Sequence, residues 1–215
     1  MAAVALADPG LELSYGLSMS MAIEVQTGDV RQTILDAAVQ LFERDGYEAT
    51  SVNKIMARIG MTKGAFYHHF QNKEEILLTI HDIFIQQELD ALTAIEGAQG
   101  DPREALAQAV EMIIGSVEQY HSYMTVFFEQ RRRLGLHHFQ HVRQKRDAFE
   151  KKVVDIIERG IASGVFKNAE SSRVLAFGII GMCAWAYQWY RKGGEMDAEQ
   201  IGKLYARTLL DGLVA

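Results

Sequence analysis

Apolar residues return at intervals of three and four along most of this chain, the spacing that gathers them on one face of an α-helix. Ile34, Ala37, Ala38, Leu41 and Phe42 make the first such face, with Asp29 as its cap and Gly46 as a left-handed stop. A short second helix starts at Thr50 and turns Val52, Ile55, Met56 and Ile59 to one side before Gly60 ends it. Thr62 caps a third helix, Lys63 to Phe70. Asn72 and Glu75 form a capping box for a fourth, whose stripe of Ile76, Leu77, Ile80, Ile83 and Phe84 continues to about Ile95; Gly97 and Gly100 then break the chain.

The second half repeats the grammar. Asp101, Pro102 and Glu104 open a helix with Ala105, Leu106, Ala109, Val110, Ile113 and Val117 inward. Another covers Tyr123 to about Leu134 and closes on Arg131, Arg132 and Arg133, where cations complement the helix dipole. A long helix follows from Phe139 to Ser163, then one from about Glu170 to Arg191, and Asp197 with Gln200 caps the last. The expectation is an all-α protein of about nine helices without internal repeats. It divides into an arm at 1–28, a three-helix unit at 29–75 and a larger helical domain at 76–215. The arm has no helical period and no lysine or arginine, so it lacks the charged start of a secretory signal and reads as flexible.

One run changes the picture. VLAFGIIGMCAWAYQWY, between Arg173 and Arg191, holds seventeen residues without a formal charge. It stands at the lower limit for a membrane span, with an aromatic end like an interfacial belt. It also contains Gln188 and follows a series of amphipathic helices, and a helix apolar on all sides is equally at home between subunits. Burial in a dimer is the expectation. Gly178, Gly181 and Ala184 permit close approach, and Phe177, Ile180, Leu204 and Leu209 supply apolar area for a four-helix interface. The single cysteine, Cys183, excludes an internal disulfide and fits a reducing cytoplasm.

Charge then singles out one stretch. The chain's net charge is -6, yet Thr50 to Lys73 contains Lys54, Arg58, Lys63 and Lys73 and no acid. A local basic surface is the footprint of phosphate binding, and two short helices around a tight turn form a helix-turn-helix. Thr62 and Lys63 stand at the start of the second of these, where free N–H groups favour phosphate. Gly64 lets backbone approach a base edge, and Lys63 reaches a guanine or a phosphate. Thr50 and Ser51, at another helix start, and Lys73 are candidate backbone clamps. Phe66 and Phe70 are core, and His69 is ambiguous.

Other chemistry is sparse. His137 and His141 are four apart but lack the flanking acid and cysteine of a zinc site, and no nucleophile elbow or phosphate loop is present. Neither a metal, a cofactor nor an enzymatic activity is expected.

Residues 30–75, VRQTILDAAVQLFERDGYEATSVNKIMARIGMTKGAFYHHFQNKEE, resemble the DNA-binding domain of TetR-family transcriptional regulators, without a gap and through the TKGAFYHHFxNKEE signature. The resemblance implies double-stranded operator DNA as partner, a homodimer, and Tyr67 and His68 as a phosphate-gripping pair. More loosely, EQRRRL at 129–134, ERGIASGVF at 158–166 and WYRKGG at 189–194 are similar to the subgroup that senses acyl-CoA thioesters and represses the breakdown of fatty acids or steroid fragments. That likeness implies a pocket between helices, for which Met124, Phe127, Phe128, Met182, Trp185 and Trp189 are candidate acyl contacts and Arg131 and Arg132 candidate phosphate contacts; core filling by the apolar residues remains the alternative. The competing functions are a soluble acyl-thioester carrier or enzyme, and a regulator answering to a hydrophobic drug-like ligand.

Overall fold

The computed structural model describes residues 30–213; the expected arm and the Asp29 cap lie outside them. In chain order the elements are α1 (Val30–Asp45), α2 (Val52–Arg58), α3 (Lys63–His69), α4 (Lys73–Gly97), α5 (Pro102–Gln119), α6 (His121–Gln130), a 3-10 turn (Arg131–Arg133), α7 (Leu136–Ala162), α8 (Ser172–Ala184), a four-residue α9 (Ala186–Trp189) and α10 (Ala198–Leu213). Among the described residues there is no strand, and the all-α expectation holds.

Short polar side chains set the helix starts. Ser51, Thr62, Asn72, Asp101 and Ser171 each accept a bond from a backbone N–H in the first turn, satisfying donors that the helix leaves unpaired. The Asp197–Gln200 box is reciprocal: each backbone N–H donates to the other's side chain, at 3.1 and 2.8 Å. The second helix differs from the expected one, because Ser51 is its cap. Thr50 is fully buried and its hydroxyl donates back to the Gly46 carbonyl at 2.9 Å, closing the loop after α1.

The uncharged run also differs. It breaks at Trp185 into α8 and α9, and no helix among the described residues is long and apolar enough to cross a membrane. Val174, Phe177, Trp185, Trp189 and Leu204 are left exposed along α8, α9 and α10. Gly178 and Gly181 face open space, so that side of α8 is free for a close neighbour.

Phe66, Phe70, Ile55 and Met56 are buried under α1 in the N-terminal unit, and the apolar cluster runs on without interruption through α4 into the larger domain. α4, at 25 residues about 37 Å long, touches α1 at one end and α5, α6 and α7 over the rest. α5 receives α10 along its length; a Cβ on Gly202 would lie 3.0 Å from the Glu111 Cα, so the two backbones need a small residue there. At the end of α7 the chain turns back and seats Phe166 against Gly160, where a Cβ would fall 2.1 Å from the ring.

His81 and Glu88 are ionisable side chains within this core. His81 is fully buried between Phe84 and Phe127, ring centroids 5.4 and 4.6 Å away, and burial holds its pKa below the ordinary value. Glu88 is 5% exposed, and burial pushes its carboxyl up to about 7 although Ser116 and the Arg146 guanidinium pull the other way.

Two outcomes follow for stability, read by urea denaturation at fixed protein concentration. Gly160→Ala should lower stability by about 1–3 kcal/mol through overpacking against Phe166; an unchanged midpoint would refute that contact. A carboxyl raised from 4.5 in the unfolded chain to about 7 when folded stabilises fully below pH 4.5 and ceases to as pH passes 7. Native protein should therefore lose up to about 3 kcal/mol relative to Glu88→Gln between pH 4.5 and 8. A pH-independent gap would contradict the raised pKa.

Candidate functional site

α2 and α3 meet across the turn at Ile59–Thr62, which Gly60 makes in a left-handed conformation, φ +68°. Its N–H bonds back to the Ala57 carbonyl and that of Met61 to the Met56 carbonyl, so the end of α2 is satisfied within the turn. Ile55 and Met56 of α2 and Phe66 of α3 point inward and lock the angle between the two helices. The opposite side of α3 is left to solvent. Thr62, Lys63, Gly64, Tyr67 and His68 are all exposed there, as expected, and share one face. The Lys63 ammonium stands 5.9 Å from the Tyr67 ring centroid and is exposed at the start of α3. At Gly64 a Cβ would meet only the Thr62 hydroxyl at 3.7 Å, so the fold does not require glycine there. What it does is leave the first turn of α3 bare.

The other cations of this unit are engaged internally. Lys54 pairs with Asp45 at 2.6 Å, and Arg58 donates to the Gln40 side chain at 2.6 Å. Lys73, a candidate clamp, is half-buried: its ammonium donates to the Tyr47 carbonyl at 2.7 Å and lies 4.3 Å from the Tyr47 ring. Burial lowers its pKa. Lys73 therefore first holds the loop after α1. Thr50, the other candidate clamp, offers no hydroxyl to the surface, whereas Ser51 is exposed at the start of α2.

The larger domain contains a cavity of about 520 Å³ between α6, α7 and α8. Phe127, Phe139, Phe149, Phe177 and Ile180 supply apolar wall, and Arg131, Arg143, Arg146 and Arg173 stand around it. Arg143 and Arg173 are paired with Asp147 at 3.6 Å and Glu150 at 2.6 Å. Arg131 and Arg146 lie over the Phe128 ring, 5.5 and 5.3 Å from its centroid. Arg146, Phe149 and Ile180 also border a void of about 10 Å³ further in, whose remaining lining includes Met124, Phe128, Phe84 and Glu88. A wider cleft of about 690 Å³ between α1, α4 and α7 is open to solvent, with Asp82 and Lys145 paired across it at 3.1 Å.

Of the expected ligand contacts, Phe127 and Arg131 line the outer cavity and Met124 and Phe128 the inner void. Trp185 and Trp189 do not: the break in the helix turns them outward, 60% and 43% exposed. Met182 is half-buried and outside both linings, and Arg132 is exposed on the 3-10 turn. Sequence reasoning missed Arg143, Arg146, Arg173 and Glu88. The usable signal was register, since Glu88 shares the core stripe of Phe84, Ile85 and Leu92, and Arg146 that of Val142, Phe149 and Val153.

Polar ties join the two sites. Arg133, beside the cavity, pairs with Glu48 of the loop before α2 at 2.9 Å. Glu74, in the first turn of α4, accepts from the Gly135 N–H and pairs with His138 at 2.7 Å; both bonds hold its pKa below the ordinary carboxyl value. His141 pairs with Asp82 of α4 at 3.0 Å. Tyr123 of α6 donates to Asp36 of α1 at 2.8 Å.

Comparison with known proteins gives this arrangement a family. The model described as "Bacterial regulatory proteins, tetR family" matches residues 34–80, and that described as "Tetracyclin repressor-like, C-terminal domain" matches residues 99–213. The transcriptional repressor KstR2 of Mycolicibacterium smegmatis is 27% identical over 190 residues, spanning 87% of this chain and 92% of that protein. The structure of the ketosteroid regulator KstR2 of Mycobacterium tuberculosis superposes with a TM-score of 0.78 at 25% identity, over 86% of this chain and 95% of that one. AibR, solved with isovaleryl coenzyme A and operator DNA, has the same fold, with a TM-score of 0.74 at 24% identity over 84% of this chain and 98% of its own. With an exposed α3 on a locked helix pair, and both domain models matched, the chain belongs to the TetR family of DNA-binding, ligand-responsive transcriptional regulators.

Proposed function

We propose that this protein is a cytoplasmic, homodimeric repressor that leaves a near-palindromic operator when a CoA thioester occupies the α6–α7–α8 cavity. The observation that supports this most directly is the continuity of α4. One end of it holds the loop between α1 and α2, just before the helix-turn-helix, through Lys73, and its middle contributes Phe84 and Glu88 to the wall of the inner void. A single rigid element thus takes part in both sites.

Thr62, Lys63, Gly64, Tyr67 and His68 enter the major groove, with Ser51 on the flanking backbone. Lys63 and the α3 N-terminus meet anionic or guanine oxygen, and Tyr67 and His68 grip phosphate. A unit this small binds weakly alone. Two copies joined through the exposed apolar face of α8 and α10 place two α3 helices about one turn of DNA apart. Arginine matches phosphate oxygen with paired donors, and Arg131, Arg143, Arg146 and Arg173 outnumber the cavity's acids Asp147 and Glu150, so the largely apolar cavity favours an anionic head with an acyl chain over a neutral or cationic drug. The same observations weigh against a carrier, which has no use for an exposed α3. Filling the cavity displaces α6, the 3-10 turn or α7, and through Arg133–Glu48, Glu74–His138 and α4 alters the setting of the two α3 helices. By linkage, operator and ligand weaken each other by one factor.

Fluorescence anisotropy on DNA from the protein's own promoter region tests the first half. Lys63→Ala should weaken binding and reduce the slope of log K against log salt by about one, with helix content unchanged; Tyr67→Phe should weaken it further. No binding by native protein, or an unaffected Lys63→Ala variant, would sink the DNA reading. For the second half, octanoyl-CoA should weaken operator binding by about 5–150-fold, the usual range of a coupling energy. The Arg133→Ala/Glu74→Gln variant should still bind DNA while that factor falls toward one. Full coupling in this variant would show that the ties play no part in the response.

A further inference from the structure

An alkyl chain needs only apolar walls, and the inner void does not end in one. Glu88 projects there from α4 and Arg146 from α7, beside Ser116 of α5, at positions where the stripes of their helices otherwise carry Phe84, Ile85, Leu92, Val142, Phe149 and Val153. Their interaction with one another is coulombic, without a shared hydrogen bond. Burying such a pair is a poor means of filling a core, since apolar residues of equal volume serve as well or better. Its position is informative: Arg146 belongs to the linings of both the outer cavity and the inner void, at the point an acyl tail would reach.

We propose that Glu88 and Arg146 select effectors whose acyl group carries a second oxygen function, a keto, hydroxyl or carboxyl group remote from the thioester. This rests on the thioester reading above and specifies its substrate class. A carbonyl or carboxylate oxygen accepts from the Arg146 guanidinium, and a hydroxyl donates to the Glu88 carboxyl. With its carboxyl held near neutrality, Glu88 also serves as donor in its protonated form. The inner void, at about 10 Å³, has room for no more than a single water and must widen for any tail. Met124 and Phe128 are the side chains whose rotation opens it. A plain hydrocarbon that forces its way in strips water from both charged groups and returns no hydrogen bond, and sites built around such groups discriminate strongly against the analogue that lacks the partner. The selecting contact also falls on α4, so the oxygen that is recognised bears on the helix beneath the DNA-binding unit.

The test is calorimetric titration of full-length protein with CoA, octanoyl-CoA, 8-hydroxyoctanoyl-CoA, 7-oxooctanoyl-CoA and the ω-carboxylated suberoyl-CoA. Native protein should bind at least one oxygenated chain about tenfold or more tightly than octanoyl-CoA, the worth of a hydrogen bond to a charged group. Glu88→Leu/Arg146→Met, an apolar replacement of the pair, should abolish or reverse that preference. Glu88→Gln keeps the shape if the double variant does not fold, and should diminish the preference for the hydroxylated chain alone. Octanoyl-CoA bound as well as or better than every oxygenated chain overturns the proposal and leaves the thioester reading intact. Discrimination that survives in the double variant also overturns it. If no thioester binds, both readings fall.

Discussion

Everything in this molecule depends on one helix being buried at both ends against different partners. α4 gives its first turns to the DNA-binding unit, where Lys73 bonds the Tyr47 carbonyl and Arg31 of α1 donates to Thr79. The same helix then inserts Phe84, Ile85 and Leu92 into the larger domain. Burial of each such side chain contributes about 1.5–3 kcal/mol, so neither end can be released cheaply. A change in the packing of its middle is relieved by rotation or translation of the whole helix. The cavity's inner wall and the base of the DNA-binding unit thus lie on one helix.

The head's electrostatics are more economical than its composition implies. Four cations and no acid read as a basic patch, but Asp45, Gln40 and Tyr47 from the adjoining chain occupy three of those cations. These bonds hold α2 and α4 against α1, and leave Lys63 to face outward. Phosphate contact from one copy then falls mainly to Lys63 and the start of α3, and the exposed apolar face at α8–α10 is the surface proposed to pair two copies. Two weak heads joined at a fixed spacing read a site that neither reads alone.

Local rules explain what was legible in the sequence. Helix starts were readable because Ser, Thr, Asn and Asp caps act within four residues, and the core followed from the helical period. The exposed face of α3 was readable for the same reason, since Phe66 and Phe70 fix which side turns inward. Errors arose where direction depends on distant chain. Thr50 has a polar side chain at a helix start, but the Gly46 carbonyl takes its hydroxyl. Trp185 and Trp189 belong to the most apolar run in the protein, and a break in the helix turns them outward. Glu88 and Arg146 were visible as charges on core stripes, yet a stripe is recognised by its majority and its exceptions pass as noise. Here the exceptions mark the inner wall of a cavity.

Side-chain pairs are among the ties that reach α4 and the loop before α2, which bears on how a signal crosses. Arg133–Glu48, His138–Glu74 and His141–Asp82 all run from the segment beside the cavity to α4 or to the loop before α2. Each is partly exposed and individually weak. Such contacts add little to folding stability and can be exchanged at small cost. A displacement of the 3-10 turn therefore costs little through Arg133–Glu48. Strong contacts hold the two sites on one helix, and weak ones set its angle.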